Sequence, residues 1–298
     1  GKEMAKKVGA DHVYDFSIGN PNVPAPKEVN EAIKAVVDEV DSVYLHGYMA
    51  NEGYPETRKA VADDLNRRYG TDYDESNIIM TTGAAGGLNI VLKTLLDEGD
   101  EVITFKPYFL EYKKYASNYG ASLVPVATDS RTFLPDMEAL RAAINERTRA
   151  VIINTPHNPT GVIYGEDTLK ALAAVLEEES KRIGRPIVLI SDEPYRELCY
   201  DGMSQPWVAS FYKDTIVCYS FSKSLSLPGE RIGYCVVPDE LYEHEDIFAC
   251  MGIANRTLGM LNAPGIMQKA IERCLDIDIS ENVRIYDNNR KLLYGILK

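Results

Sequence analysis

The chain has 298 residues, 45% of them hydrophobic and 26% charged, with a formal net charge of -13. That is long enough for one large or two ordinary cored domains, and the acidic balance argues against nucleic acid or an anionic membrane as a partner. No apolar run reaches membrane-spanning length, and the opening Gly1-Lys-Glu-Met has no signal-peptide core. The five cysteines (Cys199, Cys218, Cys235, Cys250, Cys274) never close as C-x-x-C. They fit reduced thiols of a cytoplasmic protein, not a disulfide frame or a zinc site, and no histidine has metal-site spacing.

The first 26 residues open polar and then read as an extended loop from Tyr14 to Pro26, marked by Gly19 and the prolines after it. Val29, Ile33, Val36, Val37 and Val40 predict a helix over about Glu28–Val40. A loop rich in Tyr and Gly, Tyr44 to Tyr54, leads to Pro55, which opens a helix over Glu56–Tyr69. From Ser76 the pattern alternates. Strands are expected over 77–82, 101–105, 122–126, 150–154, 186–191, 215–220 and 232–237. Helices are expected over 88–96, 109–118, 135–144 and 167–183, with Gly83–Gly87 as a small-residue turn and helices in most of the remainder. Short continuous apolar strands between amphipathic helices imply an α/β fold with three αβα layers and a mostly parallel central sheet.

In such sheets, sites lie beyond the carboxyl ends of the strands, and several strands here break into polar residues at that edge. Ala150-Val-Ile-Ile runs into Asn154-Thr-Pro-His-Asn158-Pro-Thr-Gly161, and Ile187-Val-Leu-Ile into Ser191-Asp192-Glu-Pro-Tyr195. Ile216-Val-Cys-Tyr runs into Ser220-Phe-Ser222-Lys223, with Arg231 eight residues on. Ile78-Ile-Met ends in Thr81-Thr-Gly83-Ala84-Ala85, whose free amides at a helix start can bind an anion. A lysine leaving a buried strand among hydroxyls suits an amine that forms a Schiff base beside a phosphate. It must be partly deprotonated, which burial favours, while the serines and the Arg231 fork supply donors to a dianion.

The motifs N-x-P-x-N-P-T-G, D-E-x-Y and S-x-S-K with x7-R together resemble those of fold-type I pyridoxal-phosphate (PLP) enzymes of the class I/II aminotransferase family, the aspartate aminotransferase superfamily. The resemblance runs from the Gly19 loop to the final helix. It implies a PLP-dependent transaminase moving an amino group between an L-amino acid and a 2-oxo acid. Lys223 would carry the Schiff base and shuttle the proton, Asp192 would pair with the ring nitrogen, and Tyr195 and Asn158 would hold the ring 3′-oxygen. Gly83, Ala84, Ala85, Ser220, Ser222 and Arg231 would hold the phosphate, although the family usually has a polar side chain in the Gly83–Ala85 turn. Phe109 falls where the family stacks an aromatic ring on the cofactor, with Tyr108 beside it. Gly19 and Asn158 would contact the substrate carboxylate. Tyr48 matches a tyrosine that reaches the neighbouring subunit's phosphate, which implies a homodimer.

The resemblance divides the chain into an N-terminal small-domain segment (1–26), a PLP-binding large domain (27–280) and the start of an interdomain helix (281–298). The family's carboxylate-binding arginine lies farther beyond the lysine than this chain extends, and Arg273, Arg284 and Arg290 sit in no matching motif. Most of the small domain is therefore expected to be missing. A PLP lyase or synthase would carry the same cofactor residues, and so would a PLP-binding sensor domain without catalysis.

Overall fold

The computed structural model describes residues 1–14 and 19–297. Asp15–Ile18 of the loop expected before Gly19, and Lys298, lie outside the described residues. The chain begins with α1 (Lys2–Val8), α2 (Lys27–Glu39), α3 (Ser42–His46) and α4 (Pro55–Tyr69). It then alternates through β1 (Ile78–Thr81), α5 (Gly83–Leu95), β2 (Glu101–Phe105), α6 (Glu111–Ser117), β3 (Ser122–Val126) and α7 (Met137–Ala143). Next come β4 (Thr148–Asn154), α8 (Glu166–Ile183), β5 (Val188–Asp192), β6 (Thr215–Ser220), α9 (Phe221–Ser224) and β7 (Gly233–Val236). Three helices follow: α10 (His244–Thr257), α11 (Gly265–Ile271) and α12 (Ser280–Leu297).

The strands form one sheet in the order β1-β7-β6-β5-β4-β2-β3. The run from β6 to β3 is parallel throughout. β7 alone is reversed, antiparallel to both β1 and β6. Central strands are apolar end to end because both faces are covered: Ala150 to Ile153 of β4 are all buried. Period-two alternation sends successive side chains to opposite layers. Along β6, Ile216 and Cys218 pack with Leu88, Val91 and Met251 of α5 and α10, whereas Val217 and Tyr219 pack with Val36, Leu65 and Met267 of α2, α4 and α11. On that second face, farther along the sheet, Leu140 of α7 and Leu172 and Leu176 of α8 cover Val151, Ile153 and Leu189.

Helix boundaries follow local chemistry. Val29, Ala32 and Val36 form the buried stripe of α2. α4 starts on Pro55 at its first turn, and α8 ends at Gly184 in the left-handed region (φ +77°). One expectation needs correction. Residues 83–87 are not a turn before the helix but its first turns, because burial of Gly83, Ala84, Gly86 and Gly87 against the sheet outweighs the poor helix propensity of glycine. The lysine leaving strand β6, Lys223, stands on the short helix α9, which the sequence pattern did not predict. Helices as short as α9 and α3 carry too few turns to leave a periodic signal.

Gly233 allows β7 to lie against the start of α5. A Cβ there would come within 2.2 Å of the Tyr219 carbonyl oxygen and 2.9 Å of Gly83 Cα, both backbone atoms that cannot yield cheaply. Gly233→Ala is therefore expected to lose more than about 2 kcal/mol in urea unfolding. Gly229→Ala, where an added Cβ meets nothing within 4 Å, should stay within about 0.5 kcal/mol of the parent.

Candidate active site

The polar ends of β4, β5 and β6 meet at one edge of the sheet because those strands are parallel and adjacent, with Asn154 paired to Asp192 and Asp192 to Cys218. Asp192 is buried on the face covered by α6. Tyr112 of α6, also buried, donates its hydroxyl to Asp192 Oδ2 at 2.5 Å. Oδ1 is shut from solvent and has no hydrogen-bond partner among the described residues. Burial pushes the Asp192 carboxyl up to about 7, against the Tyr112 hydrogen bond, which pulls it down, and with the Glu193 charge adding to the rise. An unpaired buried carboxylate oxygen costs free energy unless something polar comes to meet it.

Asn154 fixes the geometry between strands. Its Nδ2 donates to the Asp192 carbonyl at 2.7 Å, and its Oδ1 accepts from Asn158 N–H at 2.6 Å. The Tyr195 hydroxyl has its pKa raised to about 12, first by burial and then by the Asp192 charge, against a lowering by the neighbouring Asn158 side chain. His157, the residue between, is occupied with Thr160 Oγ1 at 2.8 Å and lies near-parallel to Tyr164, so it serves local packing.

Lys223 Nζ donates to the Gly19 carbonyl at 2.6 Å, which brings the N-terminal loop to the lysine. Burial lowers the pKa of this amine. Beside it, Ser220 caps α9 by accepting from Ser222 N–H at 3.2 Å, and the two hydroxyls lie 2.6 Å apart. Arg231 adopts φ +52°, a left-handed conformation costing roughly 1–2 kcal/mol for a residue with a side chain. Its guanidinium donates to the Pro228 and Thr82 carbonyls at 2.8 and 3.1 Å. Gly83 completes the corner: an added Cβ would stand 3.0 Å from Arg231 Nη2 and 3.4 Å from Ser220 Oγ. The first turn of α5, two hydroxyls and a guanidinium thus converge beside an open cleft of about 600 Å³ lined by Thr82, Ala85, Gly86, Arg231, Leu258 and Met260. This is the chemistry of an anion site.

Phe109 lies edge-on to Tyr112, with ring centroids 5.5 Å apart. The fold therefore brings together Asp192, Asn158, Tyr195, Ser220, Ser222, Lys223, Arg231, Gly19, Phe109 and the Gly83–Ala85 turn. It does not bring Tyr48, whose ring is 91% exposed on the loop after α3. Arg273, Arg284 and Arg290 are held in surface ion pairs with Glu39, Glu281 and Asp287. Sequence reasoning missed Tyr112. Its spacing of three from Phe109 within the helix expected over 109–118 was the available signal, since residues i and i+3 share a face, although α6 itself begins at Glu111.

A sequence profile of the aminotransferase class I and II family matches residues 11–298. An aspartate aminotransferase of Pyrococcus horikoshii is 32% identical over 298 residues, covering 99% of this chain and 73% of that protein. A probable N-acetyl-LL-diaminopimelate aminotransferase of Bacillus subtilis is 36% identical over 78% of this chain and 57% of its own length. The crystal structure of an amino transferase from Eubacterium rectale superposes with a TM-score of 0.95 at 49% identity, covering 99% of this chain and 74% of that one. The fold, the converging strand ends and these likenesses agree: the chain belongs to the class I and II aminotransferases, PLP-dependent transaminases of fold type I.

Proposed function

We propose that the cluster at the strand ends is the transaminase active site and that Lys223 is its catalytic amine. The observation that carries this is the Asp192 carboxylate, buried with one oxygen on Tyr112 and the other without a partner among the described residues. A protonated ring nitrogen is the partner that oxygen lacks. The residues present also fit the phosphate, through the Ala84 and Ala85 N–H groups, Ser220, Ser222 and Arg231. Bound here, PLP supplies a carbonyl for an amine and a ring that draws electrons from the substrate α-carbon.

Each residue then has a task. Burial keeps the Lys223 amine able to lose its proton, so Nζ can accept the proton leaving the substrate α-carbon. Asp192 holds a proton on the ring nitrogen by charge, which keeps the ring electron-poor. Tyr195 and Asn158, neighbours at the strand ends, would hold the ring 3′-oxygen. Phe109, edge-on to Tyr112, would pack on the bound ring. Asn158 and the Gly19 backbone orient the substrate carboxylate. Residues 27–280 act as the cofactor-binding domain. α12, which buries no residue, starts the interdomain helix, with residues 1–26 belonging to the small domain.

The substrates are an L-amino acid and a 2-oxo acid. L-aspartate is the first donor to test, since curated relatives carry aspartate aminotransferase names. The working form is a cytoplasmic homodimer in which Tyr48, exposed on a loop with no task in its own subunit, reaches the neighbouring phosphate site.

Mixing the PLP-loaded chain with L-aspartate, L-alanine or an aromatic amino acid is expected to bleach the visible cofactor band into the amine form, with release of the matching 2-oxo acid. Ammonia and pyruvate in its place would make this a lyase, and an unresponsive band would make it a sensor. Lys223→Ala should slow the half-reaction by at least about 100-fold. Arg231→Ala should weaken PLP binding roughly 10- to 100-fold by fluorescence titration, as expected for lost charge-assisted hydrogen bonds.

Asp192 also predicts a pH effect on the chain without PLP. Its folded pKa, about 7, lies above its ordinary value of 3.8. It therefore stabilises the fold below about pH 4, and that stability is lost as pH rises through 7. Asp192→Asn should match the parent in urea unfolding at pH 4 and exceed it by up to roughly 4 kcal/mol at pH 8.

A further inference from the structure

Directly behind the site, on the opposite face of the sheet from Tyr112, lies a buried ion pair that the proposed chemistry does not use. Glu193 is 0% exposed and Arg196 3%. Arg196 Nε donates to Glu193 Oε2 at 2.8 Å, and Ser191 Oγ donates to Glu193 Oε1 at 2.7 Å. Arg196 Nη1 donates to the Tyr234 hydroxyl at 3.0 Å, while Nη2 has no partner among the described residues. The guanidinium lies over three rings, with centroids 4.5 Å away for Tyr219, 4.9 Å for Trp207 and 5.8 Å for Tyr69.

This arrangement is not the cheapest way to build a core. Taking two charges out of water costs several kcal/mol per ion, and apolar side chains of similar volume often do as well or better. What a guanidinium adds is direction, through a planar fork of donors on one side and a flat cation on aromatic faces. Both directions here lead to the site. On one side, the pair closes the turn from Glu193 to Arg196, inside which Tyr195 sits and immediately before which Asp192 ends β5. Backbone bonds complete that turn, from Arg196 N–H to the Glu193 carbonyl and from Glu193 N–H to the Cys218 carbonyl of β6. On the other side, the ring beneath Arg196 is Tyr219, whose hydroxyl donates to Glu197 Oε2 and accepts from the Ser224 hydroxyl, each at 2.8 Å. Ser224 is the residue after Lys223, and Glu197 is anchored in turn by Arg68 at 3.1 Å.

We propose that Arg196 is a positioning residue of this site: paired with Glu193 and laid on Tyr219, it sets the turn bearing Asp192 and Tyr195 against the helix bearing Lys223. Acid, phenol and amine come from two different strands, and they must hold one small ring in common. Hydrogen bonding between β5 and β6 fixes the strands but not the residues beyond their ends. The Arg196 network spans that gap from behind and touches neither cofactor nor substrate. The proposal rests on the roles given above to Asp192, Tyr195 and Lys223.

The test is the paired variant Glu193→Gln/Arg196→Met, which removes both charges together and so leaves no lone buried ion. The melting temperature of the PLP-free chain, induced circular dichroism of the visible PLP band per bound cofactor, and the split between kcat and KM are measured. The expected result is a melting temperature close to the parent's, a dichroic signal reduced at least twofold, and kcat reduced at least tenfold with KM for the amino acid changed less than threefold. Should that variant fail to fold, Tyr219→Phe keeps the ring under Arg196 and deletes only the hydroxyl, with its bonds to Ser224 and Glu197. It is expected to reduce the same dichroic signal and kcat in the same direction. Unchanged dichroism and kcat in the folded variant would reduce Arg196 to core packing and overturn the proposal. If the parent chain itself binds no PLP at Lys223, the reading of the site fails first, and the parent alone reports it.

Discussion

A carboxylate held half-satisfied inside the protein is the constraint on which this structure turns. Asp192 lies at the end of a buried strand, where desolvation makes its charged form costly. Tyr112 returns part of that cost through one oxygen, and the other has no partner among the described residues. A fold can keep such a group only if its surroundings are fixed, since a mobile side chain would turn toward solvent or find another donor. The neighbouring features serve that fixity: Asn154 grips the Asp192 backbone from β4, α6 closes the face above, and the Glu193–Arg196 pair closes the face below.

The sheet supplies the rest by direction. Parallel strands end at one edge, so an acid from β5, an amide from β4 and a lysine after β6 arrive together although far apart in sequence. β7 runs the other way and serves a different need. Its Gly233 lets the start of α5 approach β6, which places the amides of that helix beside Ser220 and Arg231. The same corner holds the left-handed Arg231, strain that persists because both arms of its guanidinium are tied to backbone carbonyls. Negative charge is thus welcomed at one end of the site and supplied at the other.

Much of this was legible in the sequence, and for a physical reason. A buried apolar strand that breaks into Asn154, Asp192 or Lys223 carries its polar groups in consecutive residues, so the motif marks which side chains gather at the sheet edge. The alternation of strand and helix was equally plain, because continuous apolar runs and 3.6-residue stripes are local patterns. What stayed hidden depends on contacts between distant segments. Tyr112 reads as one aromatic on an amphipathic helix until α6 folds over Asp192. Arg196 reads as a surface residue after a turn until Tyr69, Trp207, Tyr219 and Tyr234 converge on it. Gly83–Gly87 reads as a turn, because only packing against β6 and β7 makes glycine acceptable in a helix.

The most direct measurement is borohydride reduction of the PLP-loaded chain, followed by digestion and mass mapping of the modified peptide. This account predicts a single pyridoxyl mass at Lys223, with no other lysine modified at equal PLP and protein concentrations. Label spread over surface lysines, or none on the peptide carrying Lys223, would contradict it.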